Sequence, residues 1–262
     1  MILCADATKM PLENGSVSLI CTSPPYDLGK DYEAAEPDER SYQEYRFFTR
    51  QWLKEAYHVL ANDGRLCLNI CLDKNKGGRI PLGPEVLQIA MYEAGFQYHG
   101  SIIWDDMGVS RRCQWGSWMS ASSPATIACC EVVYVLYKKR WKRIEKGISD
   151  ITADEFKHWT LARWRFNGES KKRVGHPAPF PVELPLRCLK LFSYVGDTVL
   201  DPFSGSGTTG VAATRCGRKY IGMDISEEYC QLAEKRIKTA EEALFEEGLA
   251  RMKASQASLQ SV

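Results

Sequence analysis

The stretch from Val199 to Gly210 constrains the fold most. A short apolar run ends on Asp201, a glycine-rich turn follows, and the pattern then becomes that of a helix. Asp224 ends the next apolar run, and an acidic residue about 20 residues after the first strand of such a unit can accept hydrogen bonds from both hydroxyls of a ribose. Glycines let the backbone approach a bound molecule closely. The stretch therefore predicts a strand–turn–helix–strand unit that binds a nucleoside cofactor.

The glycines alone do not decide which cofactor this is. Gly205, Gly207 and Gly210 have the spacing GxGxxG, which by itself would indicate a dinucleotide. A pyrophosphate, however, needs a helix N-terminus without a nearby acid. Asp201 would repel phosphate and attract a sulfonium or an α-ammonium group. The turn therefore favours S-adenosylmethionine over NAD.

Apolar runs alternate with helical patterns along most of the chain. The pattern predicts strands at Met1–Asp6, Val17–Thr22, Arg65–Leu72, Phe96–Trp104, Glu131–Tyr137, Thr198–Asp201 and Lys219–Asp224, and helices at Ser41–Leu60, Pro84–Ala94, Phe180–Phe192, Gly207–Cys216 and Ile225–Glu247. Asn62-Asp63-Gly64 is predicted to end the first helix. This alternation indicates one α/β domain over residues 1–262, with a mostly parallel sheet covered by helices on both faces and a frayed tail at 251–262.

A second informative stretch is the strand Val17–Thr22, which runs into Ser23-Pro24-Pro25-Tyr26. Proline lacks an N–H and fixes φ, so the chain must leave the sheet here. The resulting stiff loop would present a hydroxyl, proline carbonyls and an aromatic face. Such a loop suits a flat group that carries an amine, although on this stretch alone a plain Pro-Pro turn is as good an interpretation.

Charge is unevenly distributed, although the net charge is only +1. Residues 138–173 contain 12 basic and 5 acidic side chains, whereas residues 224–247 contain 8 acidic and 3 basic ones. We interpret residues 141–175 as an insert that binds a polyanion through arginines and lysines interleaved with Trp159, Trp164 and Phe166. A solvated basic face is the alternative. The predicted contacts are Arg163, Arg165, Lys171, Lys172 and Arg173, with Arg111, Arg112 and Trp115 as a second group.

Other classes find little support. The ten cysteines include no CxxC pair, and the four histidines form no ligand pattern, so we expect no metal site. No run approaches the ~18 apolar residues of a membrane span. The start of the chain lacks a basic-then-apolar signal pattern, and we expect reduced thiols and a cytoplasmic location.

Two motifs together carry a resemblance to a known family. Thr22-Ser23-Pro24-Pro25-Tyr26, followed far downstream by Asp201-Pro202-Phe203-Ser204-Gly205-Ser206-Gly207-Thr208-Thr209, resembles the β-class of DNA amino-methyltransferases, in which the catalytic motif precedes the cofactor motif. Asp6, Trp104-Asp105, the loop Trp115–Trp118 and the segment His176–Pro181 also look like these enzymes. The resemblance implies a Rossmann-like methyltransferase fold that uses S-adenosylmethionine, acts on double-stranded DNA and places its target-recognition region at 141–175.

The resemblance also implies roles for individual residues. The target base would be flipped out of the duplex, with Ser23 and the Pro24 carbonyl accepting hydrogen bonds from its amine and Tyr26 stacking on it. Pro25 completes the implied catalytic motif. The implied cofactor residues are Asp6 near the adenine, Asp201 at the α-ammonium, Asp224 on the ribose, and Phe203, Gly205, Gly207, Thr208 and His176.

The base itself is less constrained. Cytosine and adenine both present an amine beside a ring nitrogen, so hydrogen bonding to Ser23 does not separate them. Serine at this position resembles the cytosine-N4 enzymes of the family, so we expect N4-cytosine, with adenine-N6 as the alternative and a protein amide as a weaker one. Cytosine-C5 methylation needs a cysteine nucleophile, which the enzymes of that family carry after a proline. No cysteine follows a proline in this sequence, so we exclude that reaction. Whether a restriction endonuclease accompanies the chain and whether it forms a homodimer stay open.

Overall fold

The computed structural model describes residues 1–26, 40–73, 80–108, 116–126, 130–169 and 180–260, the last ten of these by their backbone alone. The strands are β1 (Ile2–Cys4), β2 (Val17–Thr22), β3 (Leu60–Cys71), β4 (Gln97–Asp106), β5 (Cys130–Tyr137), β6 (Arg163–Phe166), β7 (Thr198–Asp201) and β8 (Lys219–Asp224). The helices are α1 (Tyr42–Val59), α2 (Leu82–Gln88), α3 (Ala153–Trp159), α4 (Glu183–Phe192), α5 (Thr208–Arg215) and α6 (Glu227–Gln260), and a π-helical segment, Ile89–Ala94, continues α2.

The eight strands form one sheet in the order β1-β8-β7-β2-β3-β5-β4-β6. All pairings among them are parallel except those of β5, which runs antiparallel to both β3 and β4. As a result β2, β3, β4, β6, β7 and β8 end at the same edge of the sheet at which β5 begins. We call this edge the carboxyl edge. In open α/β sheets, ligands bind outside the carboxyl ends of the strands.

Hydrophobic side chains pack on both faces of the sheet. Successive strand residues point to opposite faces, so Ile20 and Leu66 pack with Trp52 of α1, whereas Leu19 and Cys67 belong to a second cluster with α4 and α5. Helices therefore cover both faces, and the predicted α/β architecture with a mostly parallel sheet is confirmed.

The first helix has the predicted N-terminus and a different exit. Ser41 Oγ accepts a hydrogen bond from the Glu44 N–H and the Glu44 carboxylate accepts one from the Ser41 N–H, which is a capping box. The prediction that residues 62–64 end this helix is wrong, because α1 ends at Val59 and passes directly into β3. Val17 pairs with Leu60 but Leu19 pairs with Arg65. The intervening polar residues are accommodated as a bulge inside the strand.

The predicted insert at 141–175 is less separate from the sheet than we expected. Thr152 caps α3, and β6 follows as an edge strand that pairs in parallel with β4. Trp164 on β6 is only 1% exposed and belongs to the core. The sequence Arg-Trp-Arg-Phe alternates in polarity like a half-buried strand, although we predicted no strand within the insert.

The C-terminal helix is longer than the predicted 225–247. It continues to Gln260, so residues 251–260 have helical backbone where we expected a frayed tail. Within the described part of the chain, no helix combines the length and apolar character that crossing a bilayer requires.

Candidate active site

The two sequence motifs meet at the carboxyl edge because β2 and β7 are neighbours. Ile20 pairs with Leu200, so the Ser23-Pro24-Pro25-Tyr26 loop and the glycine-rich turn leave the sheet side by side. Thr22 Oγ1 donates a hydrogen bond of 2.6 Å to Asp201 Oδ1 and joins the ends of the two strands. The sheet thus brings together residues that lie far apart in sequence.

Asp201 lies beneath the turn. Its side chain is fully buried, and besides the bond from Thr22 it accepts hydrogen bonds from Thr209 Oγ1 at 2.7 Å and from the Phe203 N–H at 3.1 Å. Burial raises the pKa of this carboxyl to about 6, although the three hydrogen bonds work in the opposite direction. Both oxygens are engaged by the chain itself. These bonds join the turn to the end of β2, and a contact of Asp201 with an α-ammonium group stays a prediction.

The turn is shaped by two glycines and a carboxylate. Gly205 and Gly207 have φ of 49° and 76°, a left-handed conformation that favours glycine. Asp224, at the end of β8, accepts hydrogen bonds from the Gly205 N–H at 2.9 Å and the Ser226 N–H at 3.0 Å. Burial raises the pKa of Asp224. Gly205, Gly207 and Thr208 are all buried at the start of α5.

The remaining predicted cofactor residues surround this turn. Phe203 is half-buried, with its ring edge against Trp52 at 5.3 Å and against Phe48 at 5.9 Å between ring centroids. Asp6 is exposed and follows β1, which pairs with β8, and the neighbouring Ala5 N–H bonds to the Asp224 carbonyl. Asp6 and Asp224 therefore share one end of the carboxyl edge. His176 lies outside the described residues.

A chain of hydrogen bonds runs from Ser23 into the protein. Ser23 Oγ and the Tyr26 hydroxyl are 2.8 Å apart, and the Tyr26 hydroxyl donates to Glu131 Oε2 at 2.9 Å. Asn69 Nδ2 donates to the same carboxylate oxygen at 2.5 Å. Burial, together with the negative charge of Glu131, raises the pKa of Tyr26 well above its ordinary value. Tyr26 therefore stays protonated.

The direction of this chain follows from the number of protons. An ionised carboxylate only accepts hydrogen bonds, and a phenol has a single proton to donate. Since Tyr26 gives its proton to Glu131, Ser23 must donate to Tyr26. The Ser23 oxygen is then left with lone pairs alone. Ser23 is thus an acceptor for any group that approaches it from outside, which suits an amine.

Helix α1 supports the loop from the other side. The Tyr45 hydroxyl donates to the Pro25 carbonyl at 3.1 Å, and Pro24 is buried. The loop is thus attached to a helix at Pro25 and to β5 at Tyr26. Ser23, Pro24, Pro25 and Tyr26 lie together as predicted, although their catalytic roles stay a prediction.

Sequence reasoning missed Glu131 and Asn69. Glu131 is the second residue of β5, an otherwise apolar strand, and Asn69 interrupts the apolar run of β3. A polar residue near the carboxyl edge in a buried strand is the signal that could have found both. What the sequence does not show is that β5 is reversed, which brings Glu131 opposite Cys71 at the end of β3.

The structure places only part of the predicted polyanion surface. Arg163 and Arg165 lie on β6 with side chains that are 66% and 58% exposed, and both approach Asp105, at 3.6 and 3.1 Å. Trp159 and Trp164, which are interleaved with the predicted basic contacts, are both buried. Arg111, Arg112, Trp115, Lys171, Lys172 and Arg173 lie outside the described residues.

The glycine-rich turn after β7 and the loop after β2 lie side by side on a mostly parallel sheet with helices on both faces, which is the fold of S-adenosylmethionine-dependent methyltransferases. A family model described as DNA methylase, of the N6/N4 methyltransferases, matches residues 17–235. The chain belongs to this family. Its members are S-adenosylmethionine-dependent, so the chain is a DNA methyltransferase with S-adenosylmethionine as its cofactor.

Individual relatives agree with this assignment. The type II methyltransferase M.MjaVI of Methanocaldococcus jannaschii is 51% identical over 64% of this chain and 86% of its own length. The orphan methyltransferase M.BamHII of Bacillus amyloliquefaciens is 31% identical over 85% of this chain and 89% of its own.

Solved structures share the fold. TTHA0409 of Thermus thermophilus superposes with a TM-score of 0.73 at 26% identity, covering 91% of this chain and 94% of that one. The same protein has been solved with S-adenosyl-L-methionine. The PvuII DNA methyltransferase, described as cytosine-N4-specific, has a TM-score of 0.68 at 23% identity over 90% of this chain and 85% of its own.

Proposed function

We propose that this chain is a site-specific DNA methyltransferase that methylates the exocyclic N4 amine of a cytosine flipped out of the duplex. The observation that carries the proposal is the Ser23 hydroxyl, whose only proton is directed to Tyr26 and on to Glu131. A group at this position meets acceptor lone pairs. An amine, with two N–H donors, matches them.

The amine has to be activated before it can attack a methyl group. Its lone pair is conjugated into the aromatic ring, which makes it a poor nucleophile. Ser23 Oγ would accept one N–H and the Pro24 carbonyl the other, which favours a pyramidal nitrogen and frees the lone pair. The loop is fixed by Tyr45 at Pro25, so these acceptors are positioned before the base arrives and cost little reorganisation.

The flipped base needs a surface to replace its lost stacking. Tyr26 offers an aromatic face, and the bond from its hydroxyl to Glu131 fixes one end of the ring. Stacking on an aromatic side chain returns ~1–3 kcal/mol, comparable with the few kcal/mol that extrusion costs.

The turn after β7 fits the cofactor. Gly205 and Gly207 adopt the left-handed conformation that a close turn requires, and each Asp224 oxygen has a second acceptor site for a ribose hydroxyl. Phe203 and Thr208 would line the methionine part, and Asp6 would lie near the adenine. When bound, S-adenosylmethionine supplies an electrophilic methyl group.

The choice of base rests on Ser23 itself. Serine at this position resembles the cytosine-N4 members of the family, which favours cytosine. Adenine offers the same amine beside a ring nitrogen, so adenine-N6 is the alternative. For the duplex, Arg163 and Arg165 on the edge strand would contact phosphates, since their side chains are exposed.

The decisive experiment identifies the product. Unmethylated genomic DNA is incubated with the protein and S-adenosylmethionine and digested to nucleosides, which are separated by chromatography against N4-methylcytosine, 5-methylcytosine and N6-methyladenine standards before mass analysis. Retention times are needed because the two methylcytosines have the same mass. We expect N4-methylcytosine, and no product from a Ser23→Ala control.

Two other results would count against the proposal. N6-methyladenine as the sole product would replace the base assignment. DNA without any methylated base, from a protein that binds S-adenosylhomocysteine in a thermal-shift assay, would contradict DNA methylation by this chain.

A further inference from the structure

We propose that Glu131 is the final acceptor of the proton that the target amine loses, which reaches it through Ser23 and Tyr26. The inference rests on the proposed function and extends it to a residue outside the sequence motifs. Along this path Ser23 and Tyr26 lie between Glu131 and the substrate side. It acts through Tyr26, as a positioning residue and a proton acceptor.

The contacts form a continuous path from the loop to the carboxylate. The Ser23 oxygen is 2.8 Å from the Tyr26 oxygen, which is 2.9 Å from Glu131 Oε2. Both are ordinary hydrogen-bond lengths between oxygens. Every link is directed away from the substrate side, because the path ends on a group that only accepts. A proton can therefore leave by shifting each bond of the chain once.

The reaction requires an acceptor for one proton from the amine. The amine nitrogen forms a bond to the methyl carbon as the carbon–sulfur bond breaks, and that electron pair stays on sulfur. The nitrogen then has four bonds and a positive charge, and it must release one proton. Ser23 Oγ takes this proton and passes its own to the Tyr26 oxygen, and Tyr26 passes its own to Glu131. The amine ends neutral and methylated, and the carboxylate ends as a carboxylic acid.

The surroundings of Glu131 suit this role. Asn69 Nδ2 donates to the same Oε2 atom at 2.5 Å and lies 3.2 Å from the Tyr26 hydroxyl, so it orients the carboxylate toward the tyrosine. Cys71 is opposite Glu131 in the β3–β5 register, and Trp104 is opposite it on β4. Tyr26 cannot hold the negative charge itself, because burial and the charge of Glu131 raise its pKa well above the ordinary value. It can only relay.

The test separates basicity from geometry. In Glu131→Gln the amide oxygen can accept the same bonds from Tyr26 and Asn69, but it cannot take up a proton at neutral pH. The single-turnover rate of methyl transfer, measured with saturating S-adenosylmethionine and DNA, should fall at least tenfold. The affinities for S-adenosylhomocysteine and for the same DNA should stay within twofold of wild type. Glu13→Gln, an exposed glutamate before β2, is the matched control and should leave the rate unchanged.

A second variant tests whether Tyr26 and Glu131 act on the same proton path. Tyr26→Phe keeps the aromatic face but removes the hydroxyl, so it should lose as much rate as Glu131→Gln. The double variant should be no slower than the slower single one, because both interrupt the same path. If Glu131→Gln does not fold, as judged from its melting temperature, Tyr26→Phe alone tests the proton path.

Several results would overturn the role of Glu131. Wild-type single-turnover rates in Glu131→Gln or in Tyr26→Phe would do so, as would losses that multiply in the double variant. A rate loss matched by equal losses of both affinities would indicate a merely structural residue. If the wild type itself methylates no DNA, the proposed function fails first and this role with it; an active wild type with an equally active Glu131→Gln variant refutes the role alone.

Discussion

At the level of single residues, the carboxylates at the carboxyl edge accept hydrogen bonds from other groups of the protein. Asp201 accepts from two threonines and a backbone N–H, Asp224 accepts from the glycine-rich turn, and Glu131 accepts from Tyr26. Hydrogen bonds to ionised groups are among the stronger ones in proteins. These three acids therefore fix the shapes of the two loops between which the reaction would occur.

Replacing Asp201 with asparagine should change how stability depends on pH. The folded-state pKa of about 6 is above the usual 3.8, so the folded protein holds this proton more tightly than the unfolded chain does. The contribution of this group to stability is then complete below about pH 4 and is lost as pH rises through 6. An asparagine at this position does not titrate. The stability of Asp201→Asn relative to wild type should increase by about 2 kcal/mol between pH 4 and pH 7.

Urea unfolding of the two proteins at several pH values measures this difference. Thr209→Ser keeps a hydroxyl for Asp201 and should follow the wild-type profile. A stability difference between Asp201→Asn and wild type that stays constant from pH 4 to pH 7 would contradict the assigned burial of this carboxyl.

Gly207 should not tolerate a side chain. Its φ is 76°, and an added Cβ would lie 2.8 Å from the Ala233 Cβ on α6. Gly207→Ala should cost on the order of 2 kcal/mol of stability from backbone strain and the clash. It should also weaken S-adenosylhomocysteine binding, because the turn must shift. Gly100→Ala is the control, since a Cβ there meets nothing within 4 Å; equal effects of both substitutions on binding would refute this view of the turn.

At the level of elements, β6 shows how pairing overrides charge. It carries two arginines in four residues, yet it pairs in parallel with β4. Trp164, which stands between the two arginines in sequence, is buried. The Trp164 Nε1 donates to the Trp159 carbonyl at 3.0 Å, which satisfies its one polar group. The described part of the predicted insert is therefore anchored in the core.

Trp164→Ala should destabilise the protein by about 3–5 kcal/mol, because it leaves a large cavity next to α4. Guanidinium denaturation followed by circular dichroism provides the measurement. Trp118, which is 65% exposed, offers a matched control. Trp118→Ala should change the free energy of unfolding by less than about 1 kcal/mol. A similar small change for Trp164→Ala would mean that β6 is not part of the folded sheet.

The same elements show which parts of the structure the sequence can predict. The predicted bounds of β2, β7 and β8 are correct to the residue, because each is a compact apolar run that ends on a polar residue at a turn. The bulge in β3 and the edge strand β6 escape prediction, since both depend on pairing with distant strands. The sequence shows the charge of Asp201 but not its partner Thr22, which approaches it from the other motif. Glu131 is missed for the same reason.

At the scale of the whole molecule, charge is separated along the sheet. The acidic residues 224–247 lie mostly in α6, which packs against β1 and β8 at one end. The basic residues 138–173 include β6 at the opposite end, and β2 with the loop that follows it lies between them. A polyanion is attracted to one end and repelled from the other. We therefore expect the charge distribution to orient DNA across the carboxyl edge from the side of β6.

This orientation predicts how the affinity for DNA depends on salt. Each phosphate contact adds about −0.9 to the slope of log K against log salt concentration for duplex DNA. Removing both arginines of β6, as Arg163→Gln/Arg165→Gln, should therefore make the slope less steep by up to about two. Their ion pairs with Asp105 do not prevent such contacts, because exposed ion pairs contribute only about 0–1 kcal/mol and phosphates can replace them. Fluorescence anisotropy with a labelled duplex at several salt concentrations gives the slope.

The matched control neutralises charge at the other end of the sheet. Glu241 and Glu242 are exposed on α6, and Glu241→Gln/Glu242→Gln should leave the slope unchanged within about 0.5, because no phosphate is expected there. If the arginine variant keeps the wild-type slope while the glutamine control alters it, DNA does not approach from β6. The approach would then have to be sought at the β1–β8 end, against the charge of α6. The expected result, a slope that changes only with the arginines, ties the edge strand to the DNA backbone.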